Sequence, residues 1–275
     1  MIRKGKEIIN TIGFGLRDAF RIDIPCIYLY ISPIIRDRIW KCILMNGVIF
    51  LGSLIIFEYI LIPILLLLLN CEISTESYIK SIIIYVFHII WIYPIYFISL
   101  ILNSDWYLEI ANTAQDILNK NEKKPITISK HMTYIAESIY QAILFTCILL
   151  QIKLLSFIPI LGPTLSAINL SCISGYYCFE YKFLNMSLYS KIDYCETHWA
   201  YLLGFGIPLT AITLLLPNFI GLGLYSVLFP IFVLTSLISE PDKYTFNKSY
   251  PKLKLFMIPD TCIKFFFKRL KKRFF

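Results

Sequence analysis

Long apolar runs alternate with short polar stretches over most of the chain. A helix of about 20 apolar residues crosses the ~30 Å hydrocarbon core of a bilayer. Lipid offers the backbone no hydrogen-bond partners, so each crossing segment must satisfy its own amides. The pattern therefore predicts an all-α fold, a polytopic helical membrane protein with about six apolar segments. The predicted segments are residues 42–69, 78–102, 139–158, 164–183, 199–216 and 219–239.

The last two of these segments are compatible with two structures. Both are short and carry internal glycines and prolines, and Pro217-Asn218 separates them. They are either two full spans or a re-entrant helical hairpin that enters the membrane part-way. The second arrangement is tolerated where protein or a wet cavity surrounds the hairpin.

Two other stretches show the periodicity of amphipathic helices. In residues 1–41, apolar residues recur at helical spacing, while Lys6, Arg17 and Asp18 lie elsewhere on the helical wheel. This pattern predicts a helix lying on a membrane surface, with a disordered basic tail as the alternative. Residues 105–120 predict an amphipathic helix that either follows the interface or extends the second span. The apolar residues of the first stretch are Ile8, Ile9, Ile12, Leu16 and Phe20.

Composition and charge agree with the prediction of a membrane protein. Hydrophobic residues make up 57% of the chain and charged residues 16%, with a mean hydropathy of +0.68. The net charge of +8 is uneven, because Lys and Arg avoid most of the apolar sequence and collect in residues 1–41, 103–133, 182–198 and after Ser239. By the positive-inside rule these regions and both termini are cytosolic. This distribution is a topology signal and argues against nucleic acid as a partner.

The chain therefore divides into three predicted parts. Residues 1–41 form a basic, amphipathic cytosolic segment, residues 42–239 a single helical membrane domain, and residues 240–275 a basic cytosolic tail. The tail interleaves lysine and arginine with phenylalanine, a composition that favours an anionic membrane surface. The predicted partners are the lipid bilayer and an anionic lipid surface, contacted through the N-terminal helix and the tail.

Candidate chemistry inside the apolar segments is sparse. Glu58 lies near the middle of the first segment, where a carboxylate is costly. It is either an ion or proton site, or a glutamate that is protonated or hydrogen-bonded at a helix contact. The three histidines, at 88, 131 and 198, share no motif. No nucleophile–base pair or metal-ligand spacing is present, so we predict no enzymatic activity, cofactor or metal site.

The most specific sequence lies between residues 179 and 209. A row of small residues at 167, 171 and 175 precedes it and predicts close approach by another helix. A helix broken by glycine and proline follows, and it either holds a ligand or lets neighbouring helices close. The distinctive residues are Phe179, Glu180, Tyr181, Trp199, Gly204, Phe205, Gly206 and Pro208.

The blocks FEYKFLN, ETHWAYLLGFGIPLTAIT and YSVLFPIFVLTS closely resemble the etoposide-induced protein 2.4 family, over most of residues 40–240. The resemblance implies a multi-pass endoplasmic-reticulum membrane protein that acts in autophagy, in autophagosome formation or maturation and organelle contacts. It would serve as a membrane scaffold or lipid-handling component, with autophagy proteins or further copies of itself as partners.

More distantly, IPILGP and the Gly-Phe-Gly block are similar to bacterial CysZ-type sulfate permeases. The alternative function is therefore a transporter or channel for a small, sulfate-like anion. Broken helices near Gly162-Pro163 and Gly204–Gly206 would then aim their N-termini at an anion inside the membrane.

Overall fold

The computed structural model describes residues 2–69, 73–118, 128–183, 186–244, 252–257, 259–261 and 263. Within these residues the chain is helical, with short turns and no β-strand, so the predicted all-α, polytopic membrane class is confirmed. The helices are α1 (Ile2–Ala19), α2 (Asp23–Ile31), α3 (Pro33–Cys42, Ile43–Leu51, Gly52–Ile56, Phe57–Leu61 and Ile62–Leu69 in succession), α4 (Ile73–Phe87, His88–Ile92 and Tyr93–Leu118 in succession), α5 (Ile128–Leu155), α6 (Gly162–Glu180), α7 (Leu188–Thr197), α8 (Trp199–Leu215) and α9 (Asn218–Ile238).

Three helical stretches in the described chain are long and apolar enough to cross a membrane. They are Pro33–Leu68, Lys80–Leu118 and Phe219–Ile238. Helices α7 and α8 pass the same test only together, and they are bent by 91° at their junction, as in a broken span or a re-entrant loop. By length and composition, the described residues thus contain three candidate spans, or four if this bent pair forms one span.

Several helices and turns lie where the sequence pattern places them. The N-terminal stretch folds as helix α1, and residues 105–118 continue α4 without a break, so this amphipathic stretch extends the second segment. The turn at Ser156–Leu161 separates α5 from α6, and α9 begins at Asn218. The division into residues 1–41, 42–239 and 240–275 stays a prediction.

Helices α3 and α4 contain π-helical turns at Ile43–Leu51, Phe57–Leu61 and His88–Ile92. Two of these turns lie just before prolines, at Pro63 and Pro94. Proline has no amide hydrogen and clashes with the carbonyl four residues earlier. The wider π turns relieve this misfit while the chain stays helical.

The chain folds as two compact units. The first comprises the described residues within 1–22, 118–210 and 235–275, and the second comprises those within 23–117 and 211–234. In the second unit, Phe50, Leu54 and Ile92 form a buried apolar cluster.

The second unit also contains two polar links between α3 and α4. Arg38 Nη2 donates a hydrogen bond to Glu109 Oε1 at 3.0 Å, and its Nε lies 2.6 Å from Oε2. Two turns further along α3, Asn46 and Asn103 exchange amide hydrogen bonds at 2.9 and 3.1 Å, and both are buried. A reciprocal amide pair satisfies polar groups that would otherwise be unpaired in an apolar interior.

Candidate functional site

Helix α8 lies against α1 so closely that the two backbones touch. A methyl group placed on Gly204 would lie 2.0 Å from the carbonyl oxygen of Ile12. One placed on Gly15 of α1 would lie 2.1 Å from the carbonyl oxygen of Tyr201. Real Cβ atoms essentially never come within 3.0 Å of other heavy atoms. Glycine is therefore required on both helices at this crossing.

The opposite face of α8 contacts α6 in the same way. A methyl group on Gly206 would lie 1.9 Å from the carbonyl oxygen of Ser171, and one on Gly175 would lie 2.2 Å from that of Leu202. The close approach predicted from the row of small residues is thus confirmed at Ser171 and Gly175. Small residues permit this backbone proximity between membrane helices.

Aromatic side chains fill the space beside these crossings. Phe179 of α6 meets Phe205 and Tyr201 of α8 edge-on, with ring centroids 5.1 and 6.0 Å apart. All three are 1% exposed or less. Edge-to-face pairs at these distances are favourable beyond the area they bury. We call Gly204, Gly206, Phe205, Tyr201 and Phe179 the packing node.

A buried carboxylate joins α1 to the packing node. Asp18 is 3% exposed and accepts a hydrogen bond from the Tyr201 hydroxyl at 2.7 Å. It also accepts from Arg17 at 3.0 Å, and Arg17 donates to the Tyr244 hydroxyl at 2.7 Å. The Asp18 carboxylate raises the pKa of the Arg17 guanidinium through this hydrogen bond and its charge. A buried carboxylate needs such partners, so α1 is held by polar contacts as well as by close packing.

The remaining predicted motif residues surround the packing node. Glu180 ends α6 and accepts a hydrogen bond from Gln141 of α5, and Tyr181 begins the 3-10 turn that follows. Trp199 begins α8, and its carbonyl oxygen lies 3.9 Å from the Cys172 sulfur. These residues join α5, α6 and α8 within one unit.

The prediction that glycine and proline break this helix is wrong. Helix α8 continues from Trp199 to Leu215 with Pro208 inside it. Proline removes only the hydrogen bond to the carbonyl of Gly204, and tight packing on both faces keeps the helix together. The break lies instead before Trp199, at the bend between α7 and α8.

Glu58 lies in the second unit, in the π turn Phe57–Leu61, and its side chain is exposed. Within the described part of the chain, its carboxylate has no hydrogen bond or ion pair. Neither the ion-site hypothesis nor the helix-contact hypothesis is confirmed. The described residues also contain no group of three or more His, Cys, Asp or Glu side chains arranged to hold a metal ion.

The sequence analysis missed Asp18 as a buried partner and α1 as part of this assembly. A signal was present, because Thr11, Gly15 and Ala19 form a second row of small residues four apart, and all three are buried. The sequence analysis also did not anticipate that part of the tail packs on the helices. Leu253 N and Phe256 N donate to the backbone oxygen and side chain of Glu196 at 3.1 and 3.3 Å. Phe256 is 2% exposed.

Comparisons with known proteins agree with the resemblance in these motifs. The family model described as Sulfate transporter CysZ/Etoposide-induced protein 2.4 matches residues 26–230. Protein EI24 homolog of Dictyostelium discoideum is 31% identical over 263 residues, which are 94% of this chain and 84% of that protein.

Two further relatives extend this comparison. Protein EI24 homolog of Arabidopsis thaliana is 30% identical over 278 residues, covering 88% of this chain and 87% of that protein. Ectopic P granules protein 4 of Caenorhabditis elegans is 28% identical over 169 residues, covering 60% and 52%. No solved structure matches the chain.

Proposed function

The chain belongs to the family of the sulfate transporter CysZ and etoposide-induced protein 2.4, and from this premise we propose that it acts in autophagy as a multi-pass protein of the endoplasmic-reticulum membrane. The observation that carries the proposal is the family match over residues 26–230, supported by similarity along most of two EI24 homologues. Its role is in autophagosome formation or maturation and in organelle contacts, with both termini in the cytosol.

We further propose that the protein works as a membrane scaffold or lipid-handling component. The packing node supports a scaffold, because backbone atoms of α1 and α6 occupy both glycine faces of α8. A surface closed in this way positions helices and leaves no space for a small molecule at the glycines. Autophagy proteins or further copies of this chain would assemble on the exposed surfaces.

Helix α1 has the features of a helix at the membrane interface. Its buried row packs on α8, whereas Ile9 and Phe20 are 69% and 60% exposed. At 3.6 residues per turn Ile9 lies about 120° around the helix from the centre of the buried row, with Lys6 and Arg17 beyond it, and Phe20 directly follows the end of the helix. One side thus faces protein, one is apolar and one is basic, which suits an anionic lipid surface.

The distribution of charge supports contact of both ends of the chain with an anionic lipid surface. Residues 1–22 contain five basic and two acidic residues, and residues 252–275 contain eight and one, so together they carry a net +10. The whole chain carries +8, and residues 23–251 therefore carry a net −2. Attraction to anionic lipid is thus concentrated at the termini. Most of the basic C-terminal end lies outside the described residues.

Deletion and add-back in cells test the proposed process. Loss of the protein should change autophagosome number and slow their turnover, and the wild-type chain should restore both. Gly204→Ala should restore them poorly, because the added methyl group meets the Ile12 carbonyl. Gly13→Ala is the matched control, since nothing lies within 4 Å of a methyl group there. Unchanged autophagosome number and turnover after deletion would refute the proposal.

The lipid contact is tested by hydrogen exchange of the full chain in nanodiscs. Exchange in α1 should slow when neutral lipid is replaced by a mixture containing phosphatidylserine. The effect should weaken in high salt, because the interaction is electrostatic. Equal exchange in the two lipid compositions would contradict an anionic surface as the partner of α1.

Transport of a small anion is the second candidate, because the matching family model includes a sulfate transporter. Two features disfavour it. A methyl group on Gly162 would lie 2.4 Å from the Leu155 carbonyl oxygen, so backbone atoms occupy the space beside the start of α6. Backbone atoms also occupy the space beside Gly204 and Gly206. Sulfate flux into proteoliposomes above that of empty vesicles would favour transport, and its absence under several gradients would exclude it.

A further inference from the structure

The bend between α7 and α8 is centred on a buried histidine with two acceptors. His198 is 7% exposed. Its Nδ1 lies 2.9 Å from the backbone carbonyl oxygen of Tyr194, and its Nε2 lies 2.9 Å from Asp242 Oδ1. The Tyr194 ring stacks on the imidazole at 4.1 Å, and its hydroxyl donates to Asp242 Oδ2 at 3.1 Å. The ring is therefore fixed on two edges and one face.

Both ring nitrogens face groups that can only accept hydrogen bonds. A backbone carbonyl has no proton to donate, and an ionised carboxylate is also only an acceptor. Neutral imidazole carries one N–H and can satisfy one of these oxygens, whereas imidazolium carries two. The two contacts of His198 can therefore form as hydrogen bonds together only when the ring is doubly protonated.

We propose that His198 is a proton-operated clamp, which in its charged form locks the segment 241–244 onto the bend between α7 and α8. On deprotonation one of the two contacts is lost. The contact to Tyr194 lies within one helical turn and is preserved by the backbone, whereas the Asp242 side chain is 74% exposed and then keeps only the Tyr194 hydroxyl as a donor. Asp242 is therefore the partner that leaves.

Release of Asp242 would reach helix α1 through its neighbour Tyr244. The Tyr244 ring stacks on Phe14 of α1 at 4.6 Å and on Tyr201 of α8 at 5.8 Å. Its hydroxyl accepts from Arg17 at 2.7 Å. Tyr244 thus covers the contact between α1 and α8. Through the clamp, the protonation state of His198 would affect how firmly α1 is held.

The charged groups around the clamp are consistent with this arrangement. Lys182 donates to the Ser239 carbonyl, and burial lowers its pKa while the nearby charges of Glu240 and Asp242 oppose that shift. Lys243 is paired with Glu240 at 2.7 Å. Asp242 is the carboxylate in contact with the ring, and Tyr194 is the titratable side chain stacked on it.

The sign of the pH effect follows from the charged form. Histidine changes charge between about pH 5 and 8. Because both hydrogen bonds form together only on the charged ring, the contribution of the clamp to stability is present where the ring is charged and is lost as pH rises and the ring loses its second proton. Segment 241–244 and helix α1 should therefore be held more firmly at pH 5.5 than at pH 8.

The test uses the full chain in nanodiscs and two readouts. Nitrogen-15 NMR of labelled histidine should show both nitrogens of His198 protonated at pH 5.5 and one at pH 8. Hydrogen exchange of residues 240–244, corrected for the intrinsic effect of pH, should be about tenfold faster at pH 8, because a charge-assisted hydrogen bond is lost. Exchange in α1 should rise in parallel.

Three variants separate the clamp from a general effect of pH. His198→Gln should abolish the pH dependence of exchange in segment 240–244, and Asp242→Asn should reduce it. His88→Gln, in the second unit, should leave it unchanged. A His198 ring that is singly protonated at pH 5.5, or a wild-type pH dependence in both His198→Gln and Asp242→Asn, would overturn the proposal. Asp242→Asn keeps the test valid if His198→Gln does not fold, because its site is exposed.

Discussion

Replacing Gly15 by alanine should loosen α1 from α8, whereas the same change two residues earlier should not. The new methyl carbon at position 15 would lie 2.1 Å from the Tyr201 carbonyl oxygen and 3.0 Å from the Phe205 nitrogen. Ordinary contacts begin at 3.4 Å, so the helices must separate by about 1.3 Å, the difference from 2.1 Å. Both obstructing atoms belong to the backbone and cannot rotate away.

The expected magnitude follows from two opposing terms. Overpacking of a close contact costs about 1–3 kcal/mol, while alanine in a helix is favoured over glycine by about 1 kcal/mol. At Gly13 only the second term applies, because nothing lies within 4 Å of the added methyl group. The free energies of unfolding of the two variants should therefore differ by about 1–3 kcal/mol, with Gly13→Ala the more stable.

Thermal unfolding of the two purified variants in the same detergent measures this difference. For a chain of this size, each kcal/mol shifts the midpoint by roughly 2–4 °C. Hydrogen exchange should place the added opening of Gly15→Ala in α1. Equal midpoints for the two variants, with equal exchange in α1, would refute the close backbone contact at Gly15.

Four other substitutions probe three separate contacts. Tyr201→Phe should destabilise the protein by about 1–3 kcal/mol in thermal unfolding, because it leaves buried Asp18 without its hydroxyl donor, and a midpoint equal to wild type would contradict this bond. Asn46→Ala and Asn103→Ala should show coupling of about 0.6–1.7 kcal/mol in a double-mutant cycle, as interhelical polar pairs in membranes do, and additive effects would contradict the reciprocal pair. Phe256→Ala should lower the free energy of unfolding by about 3–5 kcal/mol, as expected for a buried aromatic residue. An unchanged unfolding midpoint would contradict the packing of Phe256.

The helical, polytopic class could be predicted from sequence because lipid imposes it locally. Every crossing segment must be apolar and must satisfy its own backbone, so hydropathy located the apolar parts of α3 to α6, α8 and α9 without tertiary information, whereas the polar helix α7 was not predicted. Exposed residues such as Ile90 and Leu67, at 68% and 81%, illustrate the point, since a soluble protein would bury many of them.

The contacts that define the candidate site could be predicted only in part. The small residues at 171 and 175 predicted the close approach of another helix, because a spacing of four residues places them on one face. The pairs Asp18–Tyr201 and Asn46–Asn103 join residues 183 and 57 positions apart. No local pattern encodes such a pairing.

Pro208 shows a different limit of sequence reasoning. Proline disrupts an isolated helix, and the sequence therefore favoured a break at Gly204–Pro208. In the folded chain, α1 and α6 hold α8 on both sides, and the helix continues. The sharp bend lies at His198 instead, and its ring contacts Asp242, which lies 44 residues further along the chain.

The measurement that tests the packing node most directly is hydrogen exchange in α6 after Gly206→Ala. The added methyl group would meet the Ser171 carbonyl at 1.9 Å, so the account predicts faster exchange around residues 171–178 and a lower unfolding midpoint. Loss of the proposed autophagy function should accompany this structural change. Normal stability and unchanged exchange in α6, combined with lost function in cells, would contradict the account and assign Gly206 to a ligand site.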